Sequence, residues 1–149
     1  MTEGALVVCL GNDLIADDAL GPEVAARLRA REVEVLESWE GGLGLLDEVV
    51  GYERLIVVDT ILTGSAPPGT VHVIAESELP AVPGAAPHAV GLFDALRLGR
   101  SLGLDVPGRV TVVAVEAGDL TGIGSPMTAA VREALDPVVR LVTELLSTG

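Results

Sequence analysis

Two uninterrupted apolar runs constrain the fold more than any other feature of this chain. Ala5 to Leu10 and Leu55 to Val58 are each of strand length, and neither contains a polar residue. A strand that is apolar on both faces has to be covered on both faces, as in a sheet that lies between two layers of helices. The sequence therefore predicts a layered α/β fold with these two runs as strands inside the sheet.

The rest of the chain alternates between helical and strand patterns. Leu20, Val24 and Leu28 repeat every four positions and predict a helix, whereas Val33 to Leu36 alternates apolar and acidic residues, as is typical of an edge strand. The further predicted elements are a short helix near 45–50, strands over 70–74 and 109–115, a helix that opens at His88 and bears Leu92, Leu96 and Leu102, and a closing helix that Ser125 caps and Pro126 enters. We therefore predict one domain over residues 1–149, with a three-layer α/β/α fold and a mostly parallel sheet of roughly five strands.

Composition argues against several functions. The formal charge is −13, with nine arginines and no lysine, which disfavours binding to nucleic acid. Cys9 is the only cysteine, so an internal disulfide and an all-thiolate zinc site are excluded. The apolar run after Met1 is too short for a signal or membrane segment, and no nucleotide-binding glycine motif occurs. We expect a cytoplasmic protein without a membrane partner or an organic cofactor.

Three side chains are expected at the edge of the sheet where ligands bind in folds of this kind. Asp18 lies in the loop after the first strand, Asp59 follows the second apolar run, and His88 comes after a proline-containing loop over 76–87. Ligands in open α/β sheets bind beyond the carboxyl ends of the strands. Two carboxylates and an imidazole suit nickel, zinc or iron and leave coordination positions open.

Each of these residues also has an ordinary structural interpretation. Asp18 could cap the helix that follows, Asp59 could simply end a strand, and His88 could be a loop or capping histidine. Composition and periodicity alone favour these roles over a metal site.

Other candidates are weaker for local reasons. Cys9 lies within a buried strand, where a thiol is usually inert. His72 is expected to face solvent, and Ser125 is better explained as a cap than as a nucleophile because no nucleophile elbow surrounds it. Glu116 ends the last strand, where it could line the site or lie on the surface.

The chain as a whole resembles the hydrogenase maturation endopeptidases. Leu10 to Gly21 is similar to the first-loop signature of that family, which consists of Gly-Asn, a spacer, an acidic pair and a downstream glycine. The metal ligands of the family fall on Asp18, on Asp59 and on His88, the last within a Pro-His pair that opens a helix. The resemblance therefore implies a metal site formed by these three residues.

The same resemblance implies a function. The protein would be a metal-dependent peptidase that removes the C-terminal extension of a nickel–iron hydrogenase large-subunit precursor once nickel is loaded. In this interpretation the substrate supplies the nickel ion. The ion is bound by Asp18, Asp59 and His88, and one carboxylate serves as general base toward water. Asp17 is expected to shape the loop or cap a helix. Ala19 and the segment 40–43 depart from the common pattern of the family, which bears on contacts to the substrate tail.

Two other functions use the same residues. A non-catalytic metal-binding hydrogenase assembly factor would keep the three ligands and lack hydrolysis. A receiver-like phosphoacceptor domain also places an acidic pair after the first strand and an aspartate at the end of the third. That resemblance additionally requires a lysine near the last strand, and this chain has none.

Overall fold

The computed structural model describes residues 4–40, 42–78 and 87–148, without the side chains of Pro87 and His88. The strands are β1 (Ala5–Leu10), β2 (Val35–Ser38), β3 (Arg54–Ile61), β4 (Val71–Ala75) and β5 (Arg109–Glu116), and the helices are α1 (Leu20–Arg29), α2 (Leu46–Val49), α3 (Pro87–Ser101) and α4 (Ala129–Ser147). Two 3₁₀ turns, Ala16–Ala19 and Leu43–Leu45, precede α1 and α2. Residues 79–86 of the predicted proline-containing loop lie outside the described residues.

The strands form one sheet in the order β2-β1-β3-β5-β4. β1 pairs in parallel with β2 and β3, β3 pairs in parallel with β5, and β4 runs antiparallel to β5. This arrangement confirms the predicted mostly parallel sheet, with β2 at an edge and the two apolar runs inside. The carboxyl ends of four parallel strands consequently lie at one end of the sheet.

Helices cover both faces of the sheet, as the apolar strands require. The first face packs against α2 and α3, and the second packs against α1 and α4. The predicted inward residues Leu20, Val24 and Leu28 are fully buried in the second layer. Leu102 differs from the prediction, because α3 ends at Ser101 and Leu102 is 65% exposed.

Two glycines of the first-loop signature allow α1 to approach β1 closely. A Cβ atom on Gly21 would overlap with the carbonyl oxygen of Leu10, and one on Gly11 would overlap with the carbonyl oxygen of Asp18. Gly11 also has a φ of +147°, which side chains rarely adopt. The signature glycines thus fold the loop back on itself and hold the Asp17-Asp18 turn against the end of β1.

Several element boundaries differ from the prediction, and β2 spans Val35–Ser38 rather than 33–36. β3 continues for two residues past Asp59, because Thr60 and Ile61 still pair with β5. α4 begins at Ala129. Ser125 therefore does not cap this helix, and Pro126 is not part of its first turn. Within the described ranges, no helix is long and apolar enough to cross a bilayer.

Candidate functional site

Asp18 lies in the 3₁₀ turn after β1 and is 9% exposed. Its Oδ2 accepts a hydrogen bond of 2.8 Å from the backbone N–H of Asn12. The N-cap position of α1 is occupied by Ala19, not by Asp18. The loop that follows β1 thus fixes the carboxylate at the carboxyl end of the sheet.

Asp17, the neighbour of Asp18, joins distant parts of the chain. It is fully buried, and its carboxylate accepts hydrogen bonds from the backbone N–H groups of Gly118, Asp119 and Thr128 at 2.7–2.8 Å. The Thr128 hydroxyl adds a further bond of 3.0 Å. Thr128 is the residue directly before α4. The expectation that Asp17 shapes a loop is therefore confirmed.

Asp59 is fully buried within β3. Its Oδ1 accepts a hydrogen bond of 2.8 Å from the backbone N–H of Thr60. Side chains alternate between the faces of a strand, and Val57 and Ile61 both belong to the layer that contains α3, so Asp59 lies on that face. The 3₁₀ turn that carries Asp18 also packs against β3.

His88 lies in the first turn of α3. The backbone places this turn at the carboxyl end of the sheet, because a Cβ atom on Gly42, after β2, would lie 3.8 Å from the carbonyl oxygen of Gly91. The side chain of His88 lies outside the described atoms. The side chains that are described contain no group of three His, Cys, Asp or Glu that could hold a metal, so the three-ligand site stays a prediction.

A histidine–carboxylate pair beside this region was missed by the sequence analysis. Glu116 ends β5 with only 1% of its surface exposed, which excludes a surface position. Its carboxylate accepts hydrogen bonds from the Thr63 N–H and hydroxyl and from the Gly64 N–H, and lies 3.2 Å from the His72 Nε2. The expectation that His72 faces solvent is wrong. The antiparallel direction of β4, which brings the imidazole beside β5, could not be read from local alternation.

The environment of Glu116 changes its acidity. Burial by itself would raise the pKa of the carboxyl, but the hydrogen bonds from Thr63, Gly64 and His72 outweigh burial and hold the pKa below its ordinary value of 4.5. A carboxyl group with a lowered pKa in the folded state stabilises the fold above its unfolded-state pKa. That stabilisation is lost as the pH falls through the folded-state pKa.

We therefore expect the free energy of unfolding of Glu116→Gln to depend less on pH in the acid range than that of the parent. The free energy of unfolding of the parent should exceed that of the variant near neutral pH, and the difference should shrink as the pH falls below the ordinary pKa of 4.5 and Glu116 becomes protonated. Urea unfolding at each pH measures both proteins. A difference that stays constant over this range would contradict the lowered pKa.

Cys9 is fully buried in β1. Burial, with a smaller contribution from the nearby Glu37 carboxylate, raises the pKa of the thiol to about 12. The group therefore stays protonated at neutral pH and packs as a small apolar side chain, as predicted.

The sequence profile of the HycI family, described as hydrogenase maturation protease, matches residues 19–145. This match spans most of the chain. The chain therefore belongs to the hydrogenase maturation protease family.

Individual relatives agree with this assignment. The chain is 30% identical to the hydrogenase 2 maturation protease of Escherichia coli strain K12, over 93% of this chain and 90% of that protein. It is 33% identical to the hydrogenase expression/formation protein HupD of Rhizobium leguminosarum bv. viciae, over 95% of this chain and 73% of that protein.

A solved structure shares the fold over almost the whole length. The hydrogenase maturating endopeptidase HybD from E. coli superimposes with a TM-score of 0.83 at 28% sequence identity, covering 97% of this chain and 92% of that one. Because the chain belongs to this protease family, we no longer interpret it as a receiver-like phosphoacceptor domain.

Proposed function

We propose that this protein is an endopeptidase that removes the C-terminal extension of a nickel-loaded nickel–iron hydrogenase large-subunit precursor. Asp18, Asp59 and His88 recognise the nickel that the precursor carries. Membership of a protease family supports the hydrolytic activity. The resemblance of the first-loop signature and of the Pro87-His88 pair supports the roles of the three residues.

The position of Asp59 is the observation that carries this proposal. Asp59 is fully buried and lies on the sheet face that α3 covers. The first turn of α3 contains His88. The turn bearing Asp18 packs against the same strand. Two carboxylates at one end of the sheet, beside the helix turn that contains a histidine, bring together the residue types that bind nickel, zinc or iron.

The chemistry of the three residues fits nickel that belongs to the substrate. An imidazole and two carboxylates form a donor set of intermediate hardness, which is acceptable to nickel and leaves coordination positions for other ligands. A set of this size gains affinity when the precursor contributes its own ligands to the same ion. Binding would thereby depend on whether the precursor has been loaded, and one carboxylate could then accept a proton from the attacking water.

Cleavage of purified precursor tests the proposal. We expect the parent protein to shorten nickel-loaded precursor at its C-terminus, as measured by mass spectrometry, and to leave nickel-free precursor intact. Equal cleavage of both forms would overturn nickel recognition. Cleavage of neither form, with binding of the nickel-loaded precursor retained, would identify a non-catalytic assembly factor instead.

A further inference from the structure

A groove of about 550 Å³ opens beside the candidate site. One wall is the loop after β1, with Asn12, Asp13 and Leu14, and the opposite wall is the end of β2, with Ser38 and Trp39. This volume lies within the range of sites that bind small ligands or a few side chains. We call this feature the Trp39 groove.

The Trp39 groove exposes apolar surface that folding leaves uncovered. Trp39 and Leu14 are each 65% exposed, and both line it. Trp39 is also the only tryptophan in the chain. Exposed aromatic side chains in a concave surface are the usual anchors of protein recognition. The groove is therefore suited to an apolar side chain of a partner.

The charge in the groove is negative. Arg29 and Glu37 both line it, and they neutralise each other through an ion pair of 2.6 Å. Asp13 is exposed and has no ion pair among the described residues. The carboxylate of Asp13 is thus left to attract a cationic group, and the whole chain carries a charge of −13 that has the same effect at longer range.

The groove and the candidate metal site share the loop that follows β1. Asn12 forms part of its wall, and the backbone N–H of the same residue donates to the Asp18 carboxylate over 2.8 Å. The Gly11 backbone, also in the wall, lies directly against the carbonyl oxygen of Asp18. A chain that is held by its metal at Asp18 would therefore reach the groove within a few residues.

We propose that the Trp39 groove binds the precursor segment next to the cleaved bond, with an apolar side chain against Trp39 and Leu14 and a basic residue facing Asp13. This inference rests on the proposed function, because it takes the precursor as the occupant. Trp39 and Leu14 act as specificity residues that contribute binding energy without touching the metal.

Kinetics with nickel-loaded precursor provide the first test. Trp39→Ala and Leu14→Ala are each expected to raise KM about tenfold with little change in kcat, because uniform binding is lost. Trp39→Phe should restore most of the affinity. Leu102→Ala is a matched control, since Leu102 is also 65% exposed but follows α3 at the opposite end of the sheet. Asp13→Asn should weaken the dependence of KM on salt.

The emission of Trp39 provides a direct test of occupancy. Once the cleaved bond has been identified from the products, a tryptophan-free synthetic peptide that spans it is titrated into the parent protein. We expect a saturable blue shift, because the indole leaves water on binding, and a weaker affinity for the Leu14→Ala variant.

Several results would overturn the inference. If the parent cleaves the precursor but KM of Trp39→Ala is unchanged and the peptide leaves the emission unaltered, the proposed function stands and the groove is not the binding site. An emission that shifts with protein concentration alone would indicate a second copy of the chain as the occupant. If the parent does not cleave nickel-loaded precursor, the proposed function fails and this inference fails with it.

Discussion

Replacing Asp59 by asparagine is expected to lower the rate of precursor cleavage by at least about 100-fold, because residues that merely support metal ligands already contribute 10–100-fold. Asparagine keeps the shape of the side chain and an oxygen that can accept the N–H of Thr60. It removes the negative charge that a cation requires. Cleavage of nickel-loaded precursor measures the effect, and urea unfolding checks that the variant still unfolds cooperatively.

The control for this prediction is Asp47→Asn, which makes the same chemical change at an exposed position in α2. That variant should cleave the precursor at the parental rate. His88→Ala is expected to behave like Asp59→Asn, since both remove a ligand of the proposed site. Retained processing by either Asp59→Asn or His88→Ala, in a properly folded variant, would remove that residue from the site.

Replacing Asp17 by alanine is expected to destabilise the fold by about 1–3 kcal/mol, because several donors lose the buried carboxylate that accepts their hydrogen bonds. The carboxylate accepts bonds from the N–H groups of Gly118, Asp119 and Thr128 and from the Thr128 hydroxyl. Each of these donors would lose its acceptor. Urea unfolding at neutral pH gives the free energy of unfolding of parent and variant.

Asp47→Ala is the control for the stability measurement, because it removes an aspartate that is exposed to solvent. Its stability should stay within about 0.5 kcal/mol of the parent. Asp17→Asn should fall between the parent and Asp17→Ala, since the amide retains one acceptor oxygen and loses the charge. A loss for Asp17→Ala no larger than that of Asp47→Ala would contradict the role of Asp17 in joining the loops.

The sequence was most informative where short-range pattern decides structure. Ala5 to Leu10 was predicted as a strand and is β1 with the same bounds. Val24 and Leu28 were predicted to face inward from their spacing, and both are fully buried. These predictions succeed because the periods of helices and strands are properties of neighbouring residues, and because an apolar strand has few alternatives to a covered sheet.

The structure describes two of the three residues of the candidate site. The resemblance selected Asp18, Asp59 and His88, and the structure describes the carboxylates of the two aspartates at the predicted end of the sheet. Local sequence left a capping role open for Asp18, and the structure places Ala19 rather than Asp18 at the N-cap of α1. The side chain of His88 is not described, so its role rests on the resemblance and on the position of α3.

Contacts between distant residues decided the remaining features. The sequence by itself determined the layered fold, the central strands and the inward faces of the helices, because these follow from apolar periodicity. Only the tertiary structure revealed that Asp17 joins residues more than 100 positions away. It likewise showed α4 beginning after Thr128 and His72 pairing with Glu116. Such hydrogen bonds form where the folded backbone brings donors and acceptors together, and local sequence patterns do not predict which distant residues will meet.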